Sequence, residues 1–139
     1  MTKDRKVESI IDAIASLNGA FSDPESQAYR LRNPLLLRSF ARPGKHEADS
    51  TGHRIFNSML AGYRASVFDL EKKLSGQSRA GLKQTDKLEN LLGVYELRPG
   101  AGYDQIVAFL RMALEDPKIA KSTPLSYFLT DDETDEERI

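Results

Sequence analysis

Two clusters of side chains in this 139-residue sequence have the composition of working sites. Arg30, Arg32, Arg38 and Arg42, interleaved with Tyr29 and Phe40, form its densest basic and aromatic patch. Such a patch can grip phosphates and stack bases; alternatively its arginines pair with carboxylates of the same domain. His46, Glu47, Asp49 and His53 lie close together and include metal-ligand residue types. They fall in a polar, turn-forming stretch, with no helical His pair and no recognisable ligand spacing. No metal site is therefore expected there, and no cofactor. Ser, His and Asp all occur, but no nucleophile-elbow motif does, and no phosphate-cradling glycine loop is present.

The totals set limits on these readings. A chain of this length can bury about two-thirds of its unfolded surface, which fits a single domain. With no Cys there is no disulfide framework, thiolate metal site or thiol nucleophile. No stretch approaches the roughly 20 apolar residues of a membrane span. The start of the chain is charged and lacks an apolar run of signal-peptide length, so it is expected to be cytoplasmic as synthesised. Export, or association with a virion or tail, would need a non-classical route. The net charge of −1 conceals a division: residues 26–98 carry 13 Lys/Arg against seven Asp/Glu, and residues 99–139 carry four against nine. A body of +6 falls short of a dedicated nucleic-acid binder. The acidic stretch, residues 130–139, reads as a disordered tail behind a domain of residues 1–129.

Hydrophobic spacing then places the elements that must position any site. Val7, Ile10, Ile11, Ile14 and Leu17 mark one helical face, stopped by Asn18-Gly19. Residues 22–25 (SDPE) read as a turn or helix start, and Asn33-Pro34 closes a corner. Residues 35–41 and 53–57 predict a small β-hairpin across the polar loop 42–52. Ser58 predicts the cap of a long helix, with Leu60, Tyr63, Val67, Leu70 and Leu74 on its inner face. Thr85 or Asp86 predicts the cap of the next, with Leu88, Leu91, Leu92 and Tyr95 inward. Ile106, Phe109, Leu110 and Leu114 mark another helix, and residues 125–129 form a last apolar piece able to dock on the body.

This order of motifs is similar to a lysozyme-like module, muramidase or lytic transglycosylase, found in phage and bacterial proteins. In that family a helix ending in Glu-Gly leads to an Asn-Asn-Pro-Gly-Asn corner, a Phe-x-Ser step, Gly-x-x-Ala on a long helix, a Thr-Leu helix start, a Tyr-bearing helix and a final Pro-Leu. Here residues 15–19 (ASLNG) stand at the helix end, and residues 26–34 (SQAYRLRNP) run into the corner. Phe56-Asn57-Ser58, Gly62 with Ala65, Asp86-Lys87-Leu88, Tyr103 and Thr123-Pro124-Leu125 follow in order. The resemblance spans about residues 9–128. It implies a mainly α fold: a single lysozyme-like helical domain with a small β-hairpin.

The resemblance also implies a glycan ligand, with peptidoglycan foremost, and its departures fall at the expected site. The family's catalytic Glu falls on Asn18, which cannot protonate a glycosidic oxygen, and the corner continues as Leu35-Leu36 instead of Gly-Asn. Glycoside cleavage needs a carboxylic acid of raised pKa. Among Asp12, Asp23 and Glu25, the residue placed to act as a displaced catalytic acid is Glu25, unless it only complements a helix start after Pro24. Asn18, Tyr29, Arg32 and Asn33 are the implied substrate-binding residues; Asn18 otherwise simply ends its helix. The expected function is thus a degenerate, glycan-binding or structural relative, or an atypical muramidase. The alternative is a small helical adaptor, or a nucleic-acid-associated protein using the arginine patch of residues 30–42.

Overall fold

A computed structural model describes residues 1–38, 47–77 and 80–131. These form five α-helices and one 3₁₀ helix in a mainly helical body: α1 Lys3–Leu17, α2 Gln27–Arg30, α3 Met59–Leu74, α4 Leu88–Leu92, α5 Tyr103–Ala113 and the 3₁₀ helix Leu125–Leu129. Among the described residues, no helix is long and apolar enough to cross a membrane.

Helix α1 is the spine. Thr2 caps it, its hydroxyl accepting from the Arg5 N–H at 3.2 Å, and Val7, Ile10, Ile11 and Ile14 are buried as their spacing predicts. Gly19 terminates it at φ 79°, a left-handed geometry that costs glycine little. Against α1 pack α3, α5 and the 3₁₀ helix, whose Leu125 and Phe128 are fully buried. The predicted docking of the last apolar piece is therefore present. Lys6, also fully buried, secures it by donating to the Tyr127 and Thr130 carbonyls at 2.9 and 2.8 Å. Asp131 accepts from the Lys3 N–H at 2.6 Å, so the first two positions of the predicted tail are held on the body. Its remainder, residues 132–139, lies outside the described residues.

Helix α3 starts at the predicted cap, the Ser58 hydroxyl accepting from the Ala61 N–H at 3.1 Å. Its buried face differs from the predicted one. Gly62, Ser66, Leu70 and Leu74 are buried, while Leu60 and Phe68 are exposed. The reason is close approach of backbone: a Cβ at Gly62 would lie 1.9 Å from the Arg32 carbonyl oxygen. Only small residues fit under the corner, so the stripe runs through a glycine and a serine that hydropathy does not mark.

Two further expectations change. The cap of α4 is Lys87, whose N–H is accepted by the Asn90 side chain at 2.9 Å. Asp86 instead accepts from the Lys83 N–H at 2.8 Å. On α5, Val107 takes the buried position predicted for Phe109, which is half-exposed. The β-hairpin is reduced to isolated bridges among the described residues, Arg38 with His53 and Ala48 with Arg54. The Arg54 N–H donates to the Leu37 carbonyl at 2.8 Å and the Ile55 N–H to the Glu47 carbonyl at 2.9 Å. Residues 53–55 thus pair where predicted with 37–38 and also with 47–48, but too briefly to make a strand. Residues 39–46, with Phe40, Arg42 and His46 of the predicted clusters, lie outside the described residues.

Candidate functional site

The corner at residues 31–37 is assembled by Asn33. Its amide nitrogen donates to the Leu37 and Arg54 carbonyls at 2.9 and 3.0 Å, and its amide oxygen accepts from the Leu37 N–H at 2.8 Å. The side chain is fully buried. Asn can satisfy a carbonyl and an N–H at once, so it stitches the corner to the paired segment. With both amide hydrogens used and the side chain sealed from solvent, it is not available to a substrate.

Asn18 does the same at the end of α1. It is buried, donates to the Glu96 carbonyl at 3.0 Å and accepts from the Arg98 N–H at 2.9 Å. The position at which the family resemblance places an acid is a backbone clasp, joining α1 to residues 96–98. A second contact reinforces it: the Arg98 guanidinium reaches Asp23 at 2.7 Å and holds that carboxyl below the usual range.

Glu96, on this clasped segment, gathers a polar network that sequence reading misses. A His53 Nε2–Glu96 contact measures 2.6 Å, and the Arg38 guanidinium binds the same carboxylate at 2.6 and 2.8 Å. A carboxylate only accepts, so the imidazole proton facing Glu96 sits on Nε2. On the other side of the ring, Nδ1 lies 2.7 Å from the Thr51 hydroxyl and 3.0 Å from the Gln27 amide. Asp49 closes the turn, accepting from the backbone N–H groups of Thr51 and His53 and from the Thr51 hydroxyl. Burial raises the Glu96 pKa, but the bonds from His53 and Arg38 outweigh it and the net displacement is downward. The Asp49 carboxyl is driven strongly down, first by the Thr51 hydroxyl. Asp23, Asp49 and Glu96 are therefore displaced toward the ionised form, opposite to what a general acid needs.

A cleft of about 730 Å³ is lined by residues 35–38 and Arg54, by α3, and by residues 94–96. Its α3 wall carries Arg64, Phe68, Asp69 and Lys72. Asp69 pairs with Lys73 and accepts from the Tyr95 hydroxyl at 2.7 Å; burial, followed by this carboxylate, pushes the Tyr95 phenol up. A second cleft, about 490 Å³, is bounded by Phe21, Tyr29, Arg30, Arg32 and Met59.

The predicted site residues are thus divided. Tyr29 and Arg32 line the second cleft. Arg32 also donates to the Phe56 carbonyl at 3.2 Å. Asn18 and Asn33 are sealed in the frame. Glu25 is exposed, lines neither cleft, and precedes Ser26, the cap of α2; its N–H donates to Asp23 at 3.1 Å. The arginine patch also separates: Arg30 and Arg32 face one cleft, whereas Arg38 is bound to Glu96 in the other. Among the described residues, no group of three or more His, Asp or Glu is placed to hold a metal ion.

Comparison with family models, curated proteins and solved structures returned no match.

Proposed function

We propose that this chain is a lysozyme-like domain without the catalytic acid, which binds peptidoglycan or a related glycan in the cleft beside α3. One observation carries this reading. The end of α1, where the resemblance calls for an acid, holds Asn18 with both ends of its amide committed to backbone. The two carboxylates that line the cleft, Asp69 and Glu96, are paired with Lys73 and Arg38, so the cleft has groups to bind with and no free carboxyl set to act as a general acid. The lysozyme-like part is supported by the jobs of the motif residues. Asn33 stitches the corner, Ser58 caps the long helix, and Gly62 admits the corner's backbone.

Glu25 is not retained as the acid in this reading, because it is exposed to solvent and lines neither cleft. The nucleic-acid alternative loses its contiguous patch now that Arg38 is bound to Glu96.

The test is sedimentation with purified peptidoglycan alongside a muropeptide-release assay, on wild type, Asn18→Glu and Glu25→Gln. Wild type is expected to sediment with the polymer and release nothing. Release by wild type that Glu25→Gln abolishes would refute the loss of catalysis and restore Glu25 as a displaced acid. Failure to sediment at low and moderate salt would remove the glycan reading.

A further inference from the structure

The cleft beside α3 has an electrostatic character that a neutral sugar chain does not require. Arg38, Arg54, Arg64, Lys72 and Lys73 line it against only Asp69 and Glu96. Those two carboxylates are bound by Lys73 and Arg38. Arg54, Arg64 and Lys72 have no ion-pair partner among the described residues. Arg54 is the most telling of the three. Its guanidinium packs 4.6 Å from the centre of the Phe56 ring, and partial burial lowers its pKa against the pull of Asp69. Keeping an unpaired guanidinium in a partly desolvated wall is unfavourable unless an anion completes it.

Arg64 and Lys72 add an arrangement to this charge. They stand eight residues apart on one stripe of α3, a rise of about 12 Å, with exposed Phe68 between them. A single small anion cannot reach both. We infer that the cleft binds a linear polyanion, specifically a phosphodiester-linked polyol or sugar polymer whose successive phosphates meet Arg64, Arg54 and Lys72. This inference depends on the proposed function only in taking the same cleft as the ligand site. Nucleic acid fits less well, because the lining offers a single exposed aromatic ring, Phe68, and the Lys72 ammonium covers one of its faces at 4.4 Å.

The test is calorimetric titration of the full chain with polyglycerol phosphate, inorganic phosphate, chitotetraose and an oligothymidylate of matched phosphate number. The proteins are wild type, Arg54→Gln, the pair Arg64→Gln with Lys72→Gln, and Lys83→Gln, which removes an exposed charge outside the cleft. Polyglycerol phosphate is expected to bind wild type and Lys83→Gln alike, weakening about tenfold for each cleft cation removed, since a charge-assisted hydrogen bond is worth at least that factor. Thermal unfolding of each variant shows whether a loss reflects the site or the fold, and the paired exposed substitutions keep the question open to an answer if Arg54→Gln unfolds. Absence of polymer binding, equal weakening in Lys83→Gln, equal affinity for inorganic phosphate, or tighter binding of the oligothymidylate would each overturn the inference. Chitotetraose binding unchanged in the cleft variants, with no polymer binding, would sink this inference and leave the glycan reading standing. Polymer binding without chitotetraose or peptidoglycan binding would do the reverse.

Discussion

Replacing Asn18 by Asp changes one amide nitrogen to an oxygen and should be among the more damaging isosteric changes in this protein. The native amide donates to the Glu96 carbonyl at 3.0 Å and accepts from the Arg98 N–H at 2.9 Å in a fully packed setting. The substitution keeps the acceptor and turns the donor into a second acceptor facing a carbonyl oxygen. Loss of a buried bond, leaving its partner unsatisfied, costs about 1–3 kcal/mol. The introduced charge adds to that, so a deficit of about 3 kcal/mol or more at pH 7.5 is expected. The sign with pH is then fixed. Burial and the facing Glu96 carbonyl raise the folded-state pKa of the new carboxyl above its unfolded value of about 3.9, against the opposing pull of the nearby Arg98 guanidinium. The variant regains stability relative to wild type as pH falls through that raised pKa, because the protonated acid can donate to the Glu96 carbonyl. The recovery is at most about 1.4 kcal/mol per pH unit. Urea unfolding of Asn18→Asp, Asn18→Ala and wild type at pH 7.5 and 4.5 measures it. Asn18→Ala should lose about 2–4 kcal/mol, with both backbone groups orphaned, and show no such pH-dependent gap. An Asn18→Asp deficit that is absent, or that is equal at the two pH values, would refute the clasp.

Gly62→Ala should cost about 3 kcal/mol or more by urea unfolding, because the new methyl lands 1.9 Å from a backbone oxygen that cannot rotate away. Phe128→Ala should cost about 3–5 kcal/mol in the same assay, since it empties the centre of the docked 3₁₀ helix. Glu96 has a depressed folded pKa, so its contribution is fully present above the ordinary glutamate value of 4.5 and is lost as pH falls through the folded value. Glu96→Gln should therefore flatten the acid limb of stability against pH; the carboxylate is itself more than a third exposed, and solvent screening keeps the effect to about 1 kcal/mol.

Much of the helical frame was legible because the 3.6-residue period of Val7, Ile10, Ile11 and Ile14, and the caps at Ser58 and Gly19, are local signals. The inner face of α3 was not, because Gly62 and Ser66 are buried by a backbone contact from thirty residues earlier, which hydropathy does not encode. The chemistry was less legible still. Glu96 and Arg54 sit outside any motif, and they join His53 and α3 only after the corner has folded. Asn18 and Asn33 stand where the resemblance implies substrate-binding residues, and each is bonded to backbone instead. Sequence alone cannot tell an amide that greets a ligand from one that holds two strands of backbone together.

The clasp of Lys6 on residues 127 and 130 bears on the order in which this chain can mature. The carbonyls that satisfy its ammonium are made more than 120 residues after it, so at about 5–20 residues per second a translating ribosome delivers them roughly 6–24 seconds later. During that interval α1 has its apolar face but not the 3₁₀ helix that covers part of it. A nascent chain paused before residue 125 should expose the part of α1 that the 3₁₀ helix covers to whatever surveys the ribosomal exit, and resist protease only once the last segment has docked.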